Sequence, residues 1–402
     1  MRLLLICQYY PPEVGAAANR VAAFARLWQQ AGHDVEVMTG LPNHPDGRIK
    51  PGYRPGRRIE NGLPVIRAWL LPAPAGSFVK RTVGQVTFMV TALAAALRRG
   101  RRPDAVVVST PGFFSIFTGF ALRLVWRRPL VLDVRDLWPG FARSYGVVGA
   151  TWPLVPFEWL ERWAYRHADL VFTVSDGLVD QIVDAGADPA SVRLIPNGAD
   201  VDLFEDADTS VIDLRDHIGV PDKPLVGYLG NHGRVHGLET LVEAAGHARD
   251  AGLHFVMVGD GPAKEAAIEH ARSLGIDNIS WLDPVGRDQV PAVLTQVDLC
   301  VSTVADIPAL GAAIPAKVFD YFLARRPVVA SAVGEQRHRI EAMGGVVCHP
   351  GDADGLAAAI REVIERPDID VERNRELMLQ RYSRAGLAEA AANEIARVAA
   401  RS

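Results

Sequence analysis

The chain has few cysteines, no excess of positive charge and no long apolar run. Its 402 residues include three cysteines, Cys7, Cys300 and Cys348, each inside or beside an apolar stretch. They show neither the spacing of a zinc site nor a disulfide pattern, so we expect reduced thiols in a protein core. The formal net charge of −4 gives no overall positive surface for nucleic-acid binding.

Apolar runs are short throughout the chain. The apolar start, residues 1–7, meets polar residues too soon for a signal peptide and is interpreted as a buried first strand. No run reaches the length of a membrane span. With 49% apolar and 22% charged residues, the composition is typical of a globular protein, which we expect to be cytoplasmic. The length predicts two domains.

Short β-like runs alternate with helical runs, which is typical of an α/β fold with parallel sheets covered on both faces. A first set of strands is predicted over residues 3–7, 34–38, 64–68, 105–109, 130–134, 170–174 and 192–195. A second set is predicted over residues 225–229, 254–258, 279–282, 299–302, 327–330 and 345–348. The alternation predicts two doubly wound domains.

A hinge is expected between the two sets of strands. We expect a first domain over residues 1–205 and a second over residues 206–375. The remaining tail, residues 376–402, is helical, and it either caps the second domain or crosses back to the first.

Two helical runs are almost entirely apolar. The first, residues 82–97, is flanked by Lys80, Arg81, Arg98 and other arginines, and the second, residues 113–126, also ends in arginines. Helices buried in an α/β domain have this composition. So does a surface that docks on an anionic membrane, because apolar area and basic flanks cooperate there. Both interpretations remain open.

The turn after the first strand contains Glu13 and Gly15 and leads into a helix. Small residues at such a turn let a ligand approach the backbone closely. The pattern is not G-x-G-x-x-G, and no acidic residue follows at the dinucleotide spacing. An NAD site is therefore not expected.

Two further turns follow strands of the second set. Gly230 and Asn231 open a glycine-rich loop in which Arg234 could grip a diphosphate. Gly259 and Gly261 form another turn before a helix, which fits either a ligand crevice or a plain tight turn. Glycines around the two histidines of the first loop argue against a helical zinc pair.

Lys317 and Asp320 lie near the start of a predicted helix that Pro315 opens. The helix N-terminus and Lys317 could hold a phosphate while Asp320 holds a hydroxyl, although an exposed ion pair would show the same spacing. Arg135 and Asp136 follow a strand and favour a polar cleft. The Asp-x-Asp triplets of the chain do not follow convincing strands, so no metal site is predicted.

In their order, these segments resemble the family 4 glycosyltransferases of the GT-B fold, nearly end to end. The shared motifs are Ala-Gly-His-Asp-Val at 31–35, Ala-Asp at 168–169, Pro-Asn-Gly at 196–198, Val-Gly-Asp-Gly-Pro at 258–262 and Pro-Ala-Lys-Val-Phe-Asp-Tyr at 315–321. A narrower branch, the fucosamine transferases of bacterial surface-polysaccharide assembly, is similar at 11–13, 42–47 and 136–139.

The resemblance implies two Rossmann-like domains facing a central cleft and a retaining transfer from a nucleotide-sugar, with UDP as the expected nucleotide. Lys317 and Arg234 would neutralise the donor diphosphate as the leaving group departs. Asp320 matches the second acid of the family's E-x7-E element, which holds donor hydroxyls. The other residues implied on the donor side are Gly15, Gly230, Asn231, Gly259, Gly261, Gly311, Ala312 and Arg135. No cofactor is implied, because the nucleotide-sugar is a substrate.

The chain departs from the family pattern at several of these positions. Ala312 replaces the first acid of the E-x7-E element, and Arg135 replaces a histidine that touches the donor sugar. Asn231 and His236 stand where many members carry arginine and lysine. These departures bear on the identity of the sugar more than on the reaction class.

The acceptor side is expected to include Glu13 and Asp136. If residues 82–97 dock on a membrane, the acceptor would be a saccharide linked to undecaprenyl diphosphate, and the enzyme would be peripheral on the inner face of the plasma membrane. If not, a soluble acceptor is expected. Two other functions fit the fold: a non-hydrolysing 2-epimerase of UDP-sugars, and a catalytically silent binding protein.

Overall fold

The computed structural model describes residues 1–13, 15–44, 46–74, 78–137, 155–205, 213–220, 222–307, 310–311, 314–366 and 368–401. The chain forms two compact units. Unit 1 contains residues 1–197 and 384–402, and unit 2 contains residues 198–383. The boundaries expected from the sequence, after residues 205 and 375, both lie inside unit 2, seven to eight residues from its two ends.

Unit 1 is built on a sheet of eight strands. Its strands are β1 (Arg2–Cys7), β2 (Asp34–Gly40), β3 (Gly56–Glu60), β4 (Leu63–Ala68), β5 (Ala105–Ser109), β6 (Leu130–Val134), β7 (Leu170–Thr173) and β8 (Val192–Leu194). Its first helices are α1 (Ala16–Gln30), α2 (Phe78–Arg98), α3 (Ser115–Trp126), α4 (Val155–His167) and α5 (Asp176–Asp184).

The strand order in unit 1 is β3-β4-β2-β1-β5-β6-β7-β8. All pairs are parallel except β3 with β4, which are antiparallel at the sheet edge. The order changes direction between β1 and β5, so the turns that follow these two strands diverge to opposite faces of the sheet. Ligands of open α/β sheets bind at such switch points.

Helix α2 has two apolar faces. On one face Phe88, Ala92 and Ala96 are fully buried in the core beneath the sheet. On the other face Val90 and Leu97 are about half exposed, at 56% and 48%. Helix α2 is therefore neither fully buried nor purely a surface helix.

Unit 2 begins with short helices α6 (Val201–Glu205) and α7 (Leu214–Ile218) and has a sheet of six strands. Its strands are β9 (Leu225–Leu229), β10 (His254–Val258), β11 (Ile279–Leu282), β12 (Leu299–Ser302), β13 (Val328–Ser331) and β14 (Val346–Cys348). Its further helices are α8 (Leu238–His247), α9 (Lys264–Ser273), α10 (Val290–Leu294), α11 (Ala316–Leu323), α12 (Gly334–Ala342), α13 (Ala353–Ile364) and α14 (Val371–Tyr382).

The strand order in unit 2 is β11-β10-β9-β12-β13-β14, with every pair parallel. This is the order of a dinucleotide-binding Rossmann fold, with its switch point between β9 and β12. Strands β9, β10 and β12 are buried along their whole length, as expected for parallel strands covered on both faces.

The helical tail divides between the units. Helix α14 packs on α11 and buries Met378 and Tyr382 in the core of unit 2. The last helix, α15 (Arg384–Ala399), packs on α1 in unit 1, where Trp28 Nε1 donates to the carbonyl of Ala388 at 2.8 Å. Each of the two placements weighed for the tail therefore holds for one part of it.

Candidate functional site

The loop after β9, residues 230–237, lies at the switch point of unit 2. It is packed against the turn after β10, residues 259–262. The amide of Gly230 donates to Val258 O at 3.0 Å, and the amide of His232 donates to Asp260 O at 2.9 Å. From the opposite side, Thr303 Oγ1 after β12 donates to His236 O at 2.6 Å. Three consecutive strand ends thus fix the backbone of this loop.

Two glycines of the β10 turn are required by this packing. A Cβ on Gly259 would lie 1.9 Å from the carbonyl oxygen of Gly230, and one on Gly261 would lie 2.6 Å from that of His232. Both residues have positive φ angles, +147° and +158°. Lys264 also holds the turn, because its Nζ donates a hydrogen bond to Gly259 O at 2.9 Å. These contacts give Gly259 and Gly261 a structural reason that does not depend on a ligand.

Lys317, in the first turn of α11, reaches the start of the same loop. Its Nζ lies 3.7 Å from the centroid of the Tyr228 ring, a cation–π distance. A Cβ on Gly230 would come within 3.3 Å of Lys317 Cδ, so the glycine leaves room for the lysine. The Nζ is shielded from solvent and has no hydrogen-bond partner among the described residues.

Burial holds the pKa of Lys317 well below its ordinary value. A buried ammonium without an acceptor is costly, because it has lost its hydration shell and gained no counter-charge. An anion placed beside Nζ would remove that cost and restore the charge of the lysine. The position is therefore suited to a phosphate.

His232 and His236 line the loop as neutral imidazoles. Burial and the nearby Lys264 and Lys317 lower the pKa of His232 to about 4. Burial and Lys317 likewise lower the pKa of His236 to about 3. Both ring nitrogens of His232 are buried without a partner in the described part of the chain, as is Nδ1 of His236. From the sequence, the two histidines were weighed as a metal pair and His236 also as a departure from the family pattern, but neither was predicted to be a buried polar group of this loop.

Arg234 and Asn231 present exposed side chains on the loop. Arg234 opens a short 3-10 turn over residues 234–236. Lys317 of α11 thus packs against the start of the loop with its Nζ buried, and Arg234 is an exposed residue of the same loop. The family resemblance implied that Lys317 and Arg234 share one diphosphate, but the burial of Lys317 Nζ over Tyr228 was not predicted, because these two residues are far apart in the chain.

Asp320 has a different environment from the one expected. Both of its oxygens accept hydrogen bonds from Arg287, at 2.5 Å from Nη1 and 2.8 Å from Nη2. Arg287 also pairs with Asp200 at 3.5 Å, and, although burial lowers its pKa, the two carboxylates raise it above the ordinary value. The carboxylate of Asp320 is therefore part of an ion-pair network, which the sequence did not signal.

Gly311 packs on the turn after β13, where an added Cβ would lie 2.9 Å from Val333 O. Ala312 and the neighbouring residue 313, expected at the transferred sugar, lie outside the described residues.

In unit 1, the turn after β1 buries Glu13. Its Oε1 accepts hydrogen bonds from the amides of Asn43 and His44, both at 2.9 Å, while Oε2 is buried without a described partner. Burial raises the pKa of this carboxyl above its ordinary value, although the amide bonds oppose the effect. Glu13 therefore holds the loop after β2 in place. Gly15 precedes α1 with a φ of +155° and has no atom within 4 Å of the position of its missing Cβ.

Arg135 and Asp136 follow β6, and only Asp136 is exposed. Arg135 donates from Nη2 to Asn197 Oδ1 at 3.2 Å, and its Nε is buried without a described partner. Burial and the nearby Arg20 lower the pKa of Arg135 to about 10, against the attraction of Asp133. Arg20 itself forms a buried ion pair with Asp133 at 3.0 Å. This arginine-rich strand end was predicted only in part.

No group of three or more histidine, cysteine, aspartate or glutamate side chains is placed to hold a metal ion in the described ranges. Nor does any helix in the described part of the chain combine the length and apolar character needed to cross a membrane.

Two family models match consecutive parts of the chain. One, described as a glycosyl transferase 4-like domain, matches residues 15–198. The other, described as glycosyl transferases group 1, matches residues 223–366. The two matches fall in units 1 and 2, except that the first extends one residue past the boundary.

Among curated proteins, the chain is similar to the putative colanic acid biosynthesis glycosyl transferase WcaI of Escherichia coli. The two are 26% identical over 385 residues, which cover 91% of this chain and 93% of the relative. The 2-deoxystreptamine glucosyltransferase of Streptomyces kanamyceticus is 27% identical over 217 residues, covering 52% of this chain and 54% of the relative.

Two solved structures share the fold along their whole length. Sucrose-phosphate synthase from Thermosynechococcus elongatus superposes with a TM-score of 0.78 at 20% identity, covering 100% of both chains. Anabaena HepE in complex with UDP and glucose superposes with a TM-score of 0.73 at 17% identity, covering 99% of this chain and 100% of HepE. From its two matched domains and its two Rossmann-like units, the chain belongs to the family 4 glycosyltransferases of the GT-B fold.

Proposed function

We propose that the chain is a retaining glycosyltransferase that transfers a sugar from a UDP-linked donor to a lipid-linked saccharide in bacterial surface-polysaccharide biosynthesis. The observation that carries the donor half is the Nζ of Lys317, buried over Tyr228 and lacking an acceptor among the described residues. It lies beneath the glycine-rich loop at the switch point of unit 2, where Rossmann-like sheets bind nucleotides.

In this proposal the donor diphosphate supplies the missing acceptor for Lys317, and Arg234 approaches it from the exposed side of the loop. As the bond between the sugar C1 and the diphosphate oxygen breaks, negative charge develops on the departing UDP. Cations fixed beside it stabilise the transition state more than the ground state. Asp320 holds Arg287 through two hydrogen bonds, and in this proposal it is a positioning residue rather than a contact to the donor.

The transfer needs no side-chain nucleophile. The acceptor hydroxyl attacks C1 on the face from which UDP leaves, and its proton passes to an oxygen of the departing phosphate. The new C1–O bond then keeps the configuration of the donor. Proton NMR of the product tests this outcome, and a sugar covalently trapped on Glu13 or Asp136 would contradict it.

The nucleotide and the acceptor are supported by relatives. HepE was crystallised with UDP and glucose, and the E. coli relative is named for colanic acid biosynthesis. A saccharide linked to undecaprenyl diphosphate fits such an assembly, and it would place the enzyme on the inner face of the plasma membrane. The narrower resemblance to fucosamine transferases stays a prediction.

The test of the donor site compares UDP binding by wild type, Lys317→Met and Lys223→Met. Lys223 is an exposed lysine of the same unit, so its replacement is a matched control. We expect UDP to raise the melting temperature of wild type and the control, as any ligand of the native state does. Lys317→Met is expected to lose this shift, with at least about tenfold weaker binding, the scale of one lost charge-assisted contact.

Lys317→Met should also raise the melting temperature of the ligand-free protein, because it replaces a buried amine that lacks a hydrogen-bond partner by an apolar side chain. Calorimetric titration with UDP and GDP completes the experiment. If wild type binds neither nucleotide, the chain is the silent binding protein. If Lys317→Met binds UDP as tightly as wild type, the lysine is not at the diphosphate.

A further inference from the structure

Unit 1 contains a groove lined by arginines, away from the residues assigned to the donor. It has a volume of about 890 Å³ and runs between the β3–β4 edge and the C-terminal half of α2. We call it the arginine groove. The residues that line it and carry charge or an indole ring are Glu36, Arg57, Arg67, Trp69, Arg98, Arg99 and Arg101.

The acidic residues nearby leave much of this positive charge unpaired. Glu36 is shared by two arginines, Arg57 at 2.8 Å and Arg99 at 2.5 Å. The side chain of Arg99 is only 10% exposed, and its Nη1 is buried without a described partner. Arg98 and Arg101 are exposed and pair with no carboxylate of the described residues. The groove is therefore net positive and contains a buried, unused donor.

An apolar stripe runs along α2 beside the groove. It consists of Val79, Val83, Val90 and Leu97, which are 70%, 42%, 56% and 48% exposed. Their spacings of four, seven and seven residues bring them to one side of the helix over about 27 Å. A line of exposed apolar side chains is unfavourable in water, so it indicates a surface that contacts an apolar partner.

The stripe and the groove form one continuous surface. Thr91 of α2 donates to the carbonyl of Trp69, and Leu71 N donates to Thr87 Oγ1 at 2.9 Å, so the segment after β4 lies alongside the helix. Trp69 and Leu71 are themselves 42% and 39% exposed. An indole ring between an apolar strip and charged groups is typical of a membrane–water interface.

We propose that this surface docks unit 1 on a bilayer that contains anionic phospholipids. The stripe of α2 enters the boundary of the acyl chains, and the phosphate of one lipid headgroup enters the arginine groove, where it meets Arg98, Arg101 and the free Nη1 of Arg99. A soluble anion would leave the stripe in water, and a neutral bilayer would leave the guanidinium groups unpaired. An anionic membrane satisfies both. The proposal does not depend on the identity of the donor.

Co-sedimentation with vesicles tests it, using phosphatidylcholine alone and phosphatidylcholine mixed with phosphatidylglycerol. We expect wild type to pellet with the anionic vesicles, and less so as salt is raised. The double variant Arg98→Glu/Arg101→Glu should partition at least about tenfold less, the scale of removing basic charges near an anionic surface. The double variant Val90→Gln/Leu97→Gln should weaken binding through the loss of buried apolar area.

Matched controls come from unit 2. Arg373→Glu/Arg381→Glu changes the net charge equally on the exposed surface of α14, and Leu274→Gln removes another exposed apolar side chain. Both controls should pellet like wild type. The UDP-dependent thermal shift of every variant reports on folding and donor binding separately from the membrane.

Three results would overturn the proposal. One is equal binding of wild type to neutral and anionic vesicles. Another is unchanged binding of the arginine variant, or an equal loss in its control. The third is saturation of the groove by glycerol phosphate with no binding to vesicles, which would make the site one for a soluble phosphate.

Discussion

At the scale of single residues, the loop after β9 contains several buried polar groups that have no hydrogen-bond partner among the described residues. Lys317 Nζ and both nitrogens of His232 are buried and lack partners in the described part of the chain. Most buried polar groups of a folded protein are hydrogen-bonded, so a cluster of exceptions marks a place where stability is given up for function. A nucleotide diphosphate would satisfy at least the lysine.

His232 predicts a pH dependence of the stability of unit 2. Its pKa is about 4 in the folded protein, from an ordinary value of 6.5. Between these values the unfolded chain binds more protons than the native state, so stability rises from pH 4 to pH 6.5 and falls on acidification. The shift corresponds to about 3 kcal/mol.

Urea unfolding of wild type, His232→Gln and His217→Gln at pH 5 and pH 7 measures this effect. His217 is exposed in the same unit and serves as the control. We expect His232→Gln to reduce the difference in free energy of unfolding between the two pH values, and His217→Gln to leave it unchanged. His236, with its own low pKa, keeps part of the dependence in every variant. An identical pH dependence in all three proteins would contradict the assignment.

At the scale of elements, the two turns after β9 and β10 pack tightly against each other. Gly259 is the point of closest approach, since its missing Cβ would lie 1.9 Å from Gly230 O. Gly259→Ala is therefore expected to force the turns apart, at a cost of about 1–3 kcal/mol of stability. Because Gly230 is packed on Lys317, UDP affinity should fall as well.

The control for this variant is Gly386→Ala. Gly386 lies in α15, and a Cβ added there meets no atom within 4 Å. In a helix this change is expected to be neutral or to stabilise by about 0.5–1 kcal/mol. Denaturant unfolding and UDP titration give both quantities. Full stability and full affinity of Gly259→Ala would mean that the turns are less tightly coupled than their geometry indicates.

The sequence predicted the elements better than their contacts. Buried parallel strands such as β5 and β9 are continuous apolar runs and could be located closely. Strand β3 was missed because it is a short, largely exposed edge strand with two arginines, whose pairing with β4 is the only sign of it. The partner of Asp320 was missed because Arg287 is distant in sequence and no local pattern links them.

Helix α2 shows a second limit of sequence reasoning. Composition alone left a buried helix and a membrane-facing helix as alternatives, and the structure gives the helix one buried face and one exposed apolar face. The arginine groove beside it could not have been predicted, because Glu36 of β2, Arg57 of β3 and Arg99 just after α2 are distant in sequence. Residue spacing along a helix predicts its apolar and polar faces, but it does not predict which residues of a neighbouring sheet edge lie beside them.

At the scale of the whole molecule, helix α15 packs into unit 1, whose first strand and helix lie at the other end of the chain. Ala388, Ala391, Ala392 and Ile395 of α15 are buried with α1 and β1 in one core cluster of unit 1. Ile395→Ala should lower the stability of unit 1 by about 2–5 kcal/mol, the usual cost of truncating a buried isoleucine.

Hydrogen exchange resolved along the chain is the suitable measurement, because it reports each unit separately. Faster exchange should be confined to unit 1, and any protection of unit 2 by UDP in wild type should be the same in the variant. Glu389→Ala, an exposed substitution on the same helix, is expected to change stability by less than about 0.5 kcal/mol. If Ile395→Ala instead increased exchange in unit 2, helix α15 would stabilise unit 2 as well as unit 1, which would contradict its assignment to unit 1 alone.

The placement of α15 has a consequence for synthesis on the ribosome. Unit 2 is continuous in sequence, so all of its strands emerge before the final helix does. Unit 1 cannot complete its core until residues 384–399 have left the exit tunnel, and until then the apolar surface that α15 covers stays exposed. A ribosome stalled shortly before that point would therefore carry a complete unit 2 and an incomplete unit 1 that still exposes an apolar surface to chaperones.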